Sequence, residues 1–166
     1  MNNFLISQIL ATGAFISDML SFQQKTRKNI LILLSISSGL IALHYFFLNK
    51  FLAGLLVFIS LVRYITACYT KSNKALFLFL GINIISGIYL YSHSTDIITI
   101  LALVFITVGS FQKNDQYLRL IMMPGTALFI LYNYLIWSPV AVLLESALLT
   151  SNIVGYLRHY RLQKKS

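Results

Sequence analysis

Ser21-Phe22-Gln23, at the end of the first apolar stretch, returns as Ser110-Phe111-Gln112, 89 residues further along the chain. The positions that follow each copy align at the same offset without a gap. Leu31-Ile32 aligns with Leu120-Ile121, Ile41 with Ile130, Tyr45 with Tyr134 and Leu55 with Leu144. Duplication at a fixed period of this kind is the signature of a repeat architecture.

Polar positions inside the apolar stretches also correspond at this offset. His44 aligns with Asn133, and Arg63 aligns with Asn152. In apolar chains, internal repeats often build a pathway around a pseudo-two-fold axis, as they do in transporters. The duplication therefore predicts both the fold and the region where polar chemistry is concentrated.

Composition indicates an all-α integral membrane protein. The chain is 58% apolar and 10% charged, whereas ordinary globular domains carry about 25% charged residues. About 20 apolar residues cross the hydrocarbon core as a helix, and seven such segments are predicted, near 4-22, 29-48, 51-70, 75-91, 97-111, 118-137 and 139-157. The connections are too short for a soluble domain, so we expect all function to reside in the bundle.

The basic residues predict an orientation with the N-terminus outside and the C-terminus in the cytoplasm. Under this threading only Lys50 falls on the outer side, as the positive-inside rule requires. These charges adjoin helix ends, so we expect anionic lipid headgroups rather than nucleic acid as their partner. The other twelve fall on the cytoplasmic side: Lys25, Arg27, Lys28, Arg63, Lys71, Lys74, Lys113, Arg119, Arg158, Arg161, Lys164 and Lys165.

Repeat geometry then constrains the domain organisation. Two three-helix units joined directly would be inverted, and one extra crossing makes them parallel. We predict a first repeat at 1-74, a linker helix at 75-91 and a second repeat at 92-166 with a short basic tail. This plan of three, one and three helices resembles the SWEET sugar facilitators and their half-size bacterial relatives. The resemblance implies a pathway between the two repeats.

Local motifs resemble a second family more closely, the YgjV-type bacterial inner membrane proteins. The motifs are the run His44-Tyr45-Phe46-Phe47-Leu48, then Arg63, then Asn133-Tyr134, and finally Glu145, Asn152 and Arg158 before a basic tail. The resemblance extends over nearly the whole chain. It implies a multi-pass protein of the bacterial cytoplasmic membrane with SWEET-like architecture, and it implies little about substrate.

The chain departs from the SWEET pattern at its hinges. Those facilitators carry a proline near the end of the first helix of each repeat, where Phe22 and Phe111 stand here. Pro124, in the sixth segment, is the residue that can kink a helix, and its equivalent in the first repeat is Ser35. Pro124 is therefore either a gating element or a packing kink.

Depth along the helices predicts an inner polar layer formed by Asp18, Arg63 and Asn152. Each lies 12 to 14 residues from the outer end of its predicted segment. An isolated charge at that depth costs several kcal/mol, so we expect an ion pair between Asp18 and Arg63 that faces Asn152. The alternatives are a salt bridge that only locks helices, or an Arg63 side chain that reaches the cytoplasmic headgroups.

An outer polar layer is predicted from His44 and Asn133, with Glu145 about one turn deeper. Such side chains, together with aromatic faces, suit a hydroxyl-rich solute. Glu145 can accept hydrogen bonds or carry a proton. The alternative places Glu145 in a hydrogen bond with a neighbouring helix. It also places the nearby aromatic residues in an interfacial belt: Tyr45, Tyr132, Tyr134 and Trp137.

Two function classes follow from these patterns. The first is a facilitator of a small polar solute, with His44, Asn133, Glu145, Asn152 and Arg63 as substrate-binding residues. The second is a scaffold or accessory subunit in which the same side chains lock a static bundle. The sequence contains no phosphate-binding glycine loop, HExxH or GxSxG motif, and its histidines are dispersed. We therefore expect no enzyme activity, no metal and no cofactor, and the oligomeric state is open.

Overall fold

The computed structural model of the protein describes residues 3–47, 51–89, 91, 94–135, 137 and 139–161. Leu48, Lys50, Lys164 and Lys165 lie outside these ranges. Within them the chain forms seven α-helices and a final π-helical turn, which confirms the all-α prediction. The helices are α1 (Asn3–Ser21), α2 (Arg27–Phe47), α3 (Phe51–Tyr69), α4 (Asn73–Tyr89), α5 (Asp96–Ser110), α6 (Asp115–Leu135) and α7 (Pro139–Tyr156), and the π-helix is Leu157–Arg161.

Five helices begin one to three residues earlier than hydropathy predicted, among them α2 at Arg27 and α6 at Asp115. For these two helices, the cause lies in the polar residues that precede them. The Thr26 hydroxyl accepts a hydrogen bond from the backbone N–H of Asn29 at 3.4 Å, and the Asn114 side chain accepts one from the N–H of Gln116 at 2.8 Å. These acceptors satisfy N–H groups that have no partner inside the first turn of a helix.

The chain divides into two compact units, Met1–Tyr69 and Thr70–Ser166. In the first unit, α2 packs against both α1 and α3. In the second unit, α6 packs against both α5 and α7, and α4 packs on α5. Asn83 on α4 donates a hydrogen bond to the Thr107 hydroxyl on α5 at 2.6 Å, so polar contacts as well as apolar packing join these two helices.

Polar and apolar residues are distributed inside out relative to a water-soluble protein. Arg63 and Arg119 are buried, whereas Phe77, Ile85 and Leu143 are each more than 60% exposed. Among the described residues, α1, α2 and α6 are long and apolar enough to cross a membrane. Such a surface suits hydrocarbon as its solvent, and helices satisfy their own backbone groups there.

Several local contacts recur at the offset of the sequence repeat. The backbone N–H of Gln23 bonds the Leu20 carbonyl at 3.2 Å, and that of Gln112 bonds the Gly109 carbonyl at 3.1 Å. Both contacts close the turn after the first helix of a three-helix run. The chain direction is therefore reversed by the same turn after α1 and after α5.

Candidate functional site

The two most deeply buried polar residues among those predicted to form a site are Arg63 on α3 and Asn152 on α7. Their exposed fractions are 2% and 1%. A polar group removed from water is costly unless it is hydrogen-bonded, and a charge costs more. Arg63 and Asn152 are equivalent in the sequence repeat, and each is almost fully buried within its own unit.

Asn152 makes one hydrogen bond and leaves one polar atom buried without a partner. Its Nδ2 donates to the backbone carbonyl of Arg119 on α6 at 3.1 Å. Its Oδ1 has no hydrogen-bond partner among the described residues. The bond from Nδ2 fixes the amide plane, so the Oδ1 acceptor has a fixed direction. A hydroxyl or amine group is the kind of donor that would satisfy it.

Arg63 is buried beside an aromatic ring. Its guanidinium carbon lies 4.6 Å from the centroid of the Tyr64 ring, within the range of a cation–π interaction. Its 2% exposure contradicts the alternative in which the side chain reaches the lipid headgroups. The positive charge is instead held inside the first unit.

Two further arginines are buried, and the sequence analysis assigned them to the headgroup region. Arg119 on α6 is fully buried, and Arg27 at the start of α2 is 8% exposed. Both side chains pack inside their units, and both residues lie in the first turns of helices that begin earlier than hydropathy predicted. The cap residues Thr26 and Asn114, with Asp115 in the first turn, are the signal that would have located the helix starts.

The Asp18 side chain on α1 meets a hydroxyl. Its carboxyl group lies close to the Ser37 hydroxyl on α2, where we expected the guanidinium of Arg63. Two neighbouring serines bond backbone carbonyls close by. Ser17 donates to the Leu33 carbonyl at 2.8 Å, and Ser21 donates to the Asp18 carbonyl at 2.6 Å. The Ser17 bond therefore joins α1 to α2 beside the carboxyl group, whereas the Ser21 bond stays within α1.

The predicted outer layer contains one residue with a defined interhelical contact. Nδ1 of His44 on α2 lies 2.8 Å from the Ser7 carbonyl on α1. A carbonyl oxygen only accepts, so Nδ1 carries the hydrogen and Nε2 is the nitrogen left for other contacts. Asn133 on α6 and Glu145 on α7 are both half-buried.

Of the four residues predicted as structural or gating, Asp18 is described above, Phe22 and Phe111 are buried, and Pro124 is half-buried. Phe22 and Phe111 follow directly after α1 and α5 and are 2% and 5% exposed. The Phe111 ring stacks on that of Phe79, with 5.9 Å between centroids. Pro124 lies inside α6, which continues as a helix on both sides of it. Phe22 and Phe111 thus occupy packed helix ends.

Three of the predicted site residues contact partners that we had not assigned to a site. Asp18 contacts Ser37, His44 contacts Ser7, and Asn152 contacts the Arg119 carbonyl. These partners are hydroxyl or backbone groups on a neighbouring helix. They were missed because backbone carbonyls carry no sequence signal and serines are common in apolar helices.

An apolar groove of about 390 Å³ lies between α2 and α3 in the first unit. Its lining offers no polar side chain, so it suits hydrocarbon rather than a hydroxyl-rich solute. The groove is thus separate in character from the polar residues described above. It is lined by Ile36, Gly39, Leu40, Ala42, Leu43, Phe46, Phe58 and Leu61.

Comparison with known proteins places almost the whole chain in one family. The Imp-YgjV family model, described as a bacterial inner membrane protein, matches residues 5–163. The inner membrane protein YgjV of Escherichia coli (strain K12) is 21% identical over 165 residues, which cover 99% of this chain and 90% of that protein. No solved structure matches. All the polar residues described above fall within the matched range.

Proposed function

Since the chain belongs to the Imp-YgjV family of bacterial inner membrane proteins, we propose that it is a facilitative transporter of a small polar solute, such as a sugar, in that membrane. In this proposal all seven helices cross the bilayer. They form two parallel three-helix repeats joined by α4, in a SWEET-like plan, with the N-terminus outside and the C-terminus in the cytoplasm.

Matched contacts support the repeat. Nη2 of Arg27 donates to the Ala67 carbonyl at 2.7 Å, and Nε2 of Gln116 donates to the Tyr156 hydroxyl at 3.3 Å. Both members of the second pair lie 89 positions after their counterparts in the first. The second helix of each run thus holds the end of the third at the same place, as equivalent units would.

The observation that carries the transport proposal is the unpartnered Oδ1 of Asn152. The free energy cost of burying an acceptor without a donor is about 1–3 kcal/mol. In a static bundle nothing offsets this free energy cost. In a transporter, a solute hydroxyl that donates to Oδ1 offsets it. We assign Asn152, with Arg63, Glu145, His44 and Asn133, to the pathway between the repeats.

The test is counterflow uptake of a labelled sugar and polyol panel into proteoliposomes. We expect saturable uptake by the wild type and a loss of at least tenfold in Asn152→Ala and in Glu145→Gln. Thr150→Ala is the matched control, because Thr150 lies on α7 but is exposed and bonds its own helix at the Ser146 carbonyl. Thermal unfolding in detergent confirms that each variant is folded.

A scaffold or accessory subunit is the second candidate, and two contacts favour it. His44 bonds the Ser7 carbonyl, and Asn83 bonds the Thr107 hydroxyl. In both contacts a polar side chain joins two helices. Absence of uptake of every solute by well-folded wild-type protein would overturn the transport proposal and leave the scaffold. Uptake that Asn152→Ala leaves unchanged would remove Asn152 from the pathway.

We also propose anionic lipid headgroups as a partner of the cytoplasmic face. Unlike the buried arginines, six basic residues near helix ends are exposed, and each juxtamembrane charge contributes about 1 kcal/mol of attraction to an anionic surface. Reconstituted protein should retain more anionic than zwitterionic lipid through detergent exchange, and neutral substitution of these residues should remove the difference. The residues are Lys25, Lys28, Lys71, Lys74, Lys113 and Arg158.

A further inference from the structure

The carboxyl group of Asp18 lies at the interface of two helices that are each long and apolar enough to cross a membrane, α1 and α2. Its side-chain partner there is Ser37, which is 3% exposed. Ser17, one residue before Asp18, donates to the Leu33 carbonyl on α2. Ser21, three residues after Asp18, donates to the backbone carbonyl of Asp18 itself. Asp18 is half-buried and stands three residues before the end of α1, and its partner Ser37 lies in the middle of α2.

The corresponding positions of the second unit show that helix packing does not need this carboxyl group. Thr107 and Thr126 stand 89 positions after Asp18 and Ser37, and both are buried. The Thr107 hydroxyl accepts a hydrogen bond from Asn83, and the Thr126 hydroxyl donates to the Met122 carbonyl at 3.2 Å. One bond joins α5 to α4 and the other stays within α6, and neutral side chains occupy both positions, so the ionisable group in the first unit calls for another explanation.

The charged groups on the packed elements have contacts of their own. On α2, Arg27 bonds the Ala67 carbonyl, Lys28 is exposed, and His44 bonds the Ser7 carbonyl. On α3, Arg63 lies against the Tyr64 ring. The group that directly faces the Asp18 carboxyl is thus the Ser37 hydroxyl, which can both donate and accept a hydrogen bond.

We propose that Asp18 and Ser37 form a proton-binding site inside the membrane, through which solute movement is coupled to protons. When the site is empty, the Ser37 hydroxyl donates to the carboxylate. When a proton from water binds, one O–H bond forms on the carboxyl group, which loses its charge and can donate to the Ser37 oxygen. The hydrogen bond between Asp18 and Ser37 is present in both states. The two helices can therefore stay packed while the carboxyl group gains or loses a proton. Ionisable residues at this depth are typical of proton pathways.

Proton binding and coupling are separable, and only the coupling rests on the proposed function. Proton binding is read without any solute, from infrared difference spectra of reconstituted protein as the pH is changed. We expect a carboxylic C=O band that disappears on alkalinisation in the wild type, is lost in Asp18→Asn and Asp18→Thr, and is kept in Glu145→Gln. Ser37→Ala should keep the band and shift its frequency, because the hydrogen bond to it is removed.

Asp18→Thr introduces the residue that the second unit carries at this position, so it is the variant best placed to fold. An Asp18→Thr spectrum with an unchanged band, or a band lost in Glu145→Gln instead, would overturn the proton site.

Coupling is tested by uptake into proteoliposomes with an imposed inward proton gradient. We expect the gradient to change the wild-type rate at least threefold and to leave Asp18→Thr unaffected. Uptake that ignores the gradient, alongside a band assigned to Asp18, would overturn the coupling and keep the proton site. Absence of any uptake with the band present would overturn the proposed function and the coupling together, again without removing the site.

Discussion

The guanidinium group of Arg27 donates to the backbone carbonyl of Ala67 across 2.7 Å, from the first residue of α2 to the last turn of α3. The last four carbonyls of a helix have no donor within it. The contact therefore supplies a donor to one of these orphan acceptors. It also places a positive charge at the negative end of the helix dipole.

Replacement of Arg27 should be far more costly than replacement of its neighbour. Arg27→Ala removes a charge-assisted hydrogen bond and should lower the free energy of unfolding by about 1.5–3 kcal/mol. Lys28→Ala is the control, because Lys28 is adjacent, carries the same charge and is exposed. The measurement is thermal unfolding in detergent. Equal losses in the two variants would mean that net charge, and not the contact with Ala67, sets the stability.

Two glycines of α4 should respond in opposite ways to alanine. A Cβ atom at Gly87 would lie 2.6 Å from Cγ1 of Ile100 on α5, whereas one at Gly81 would meet nothing within 4 Å. Overpacking typically costs about 1–3 kcal/mol, so Gly87→Ala should lower the free energy of unfolding by that amount. Gly81→Ala should be neutral or stabilising, because alanine favours a helix over glycine by about 1 kcal/mol.

Unfolding of both variants in the same detergent provides the comparison. A Gly87→Ala variant as stable as Gly81→Ala would show that α4 and α5 are less closely packed than the contact with Ile100 indicates.

Hydropathy located the helices, because a long apolar stretch has few alternatives to a helix in a membrane. All seven predicted segments coincide with helices to within three residues at each end. Side-chain partners could not be located in this way. Arg27 bonds the Ala67 carbonyl, and Asn152 bonds the Arg119 carbonyl. Both acceptors are backbone groups, and a sequence does not show which backbone carbonyls accept a side-chain hydrogen bond.

Charge was the least reliable guide to depth. Arg119 counted toward the cytoplasmic positive charge in the sequence analysis, yet it is fully buried. Arg63 was counted on the same side and is buried as well. α6 begins three residues before the predicted start, nearly one helical turn earlier, after the Asn114 cap.

The hydrogen bond between Asn83 and Thr107 should make a modest contribution to stability despite its short distance of 2.6 Å. Interhelical hydrogen bonds in membranes average about 0.6 kcal/mol and reach about 1.7 kcal/mol, because the unfolded helices find other partners in the bilayer. A double-mutant cycle with Asn83→Leu and Thr107→Val should give a coupling energy in this range. A coupling energy of zero would mean that each residue is held by other contacts.

The proposed orientation can be tested with the single cysteine of the chain, Cys68. In a Cys68→Ser background, cysteines are introduced at Ser94, in the exposed turn before α5, and at Lys113, in the exposed turn before α6. With the N-terminus outside, a membrane-impermeant maleimide should label Ser94→Cys in intact cells and Lys113→Cys only in inverted vesicles. Labelling of both from one side would mean that α5 does not cross the membrane, and the opposite pattern would reverse the orientation. A reversed orientation would place the basic residues outside, against the rule that positive charge stays in the cytoplasm.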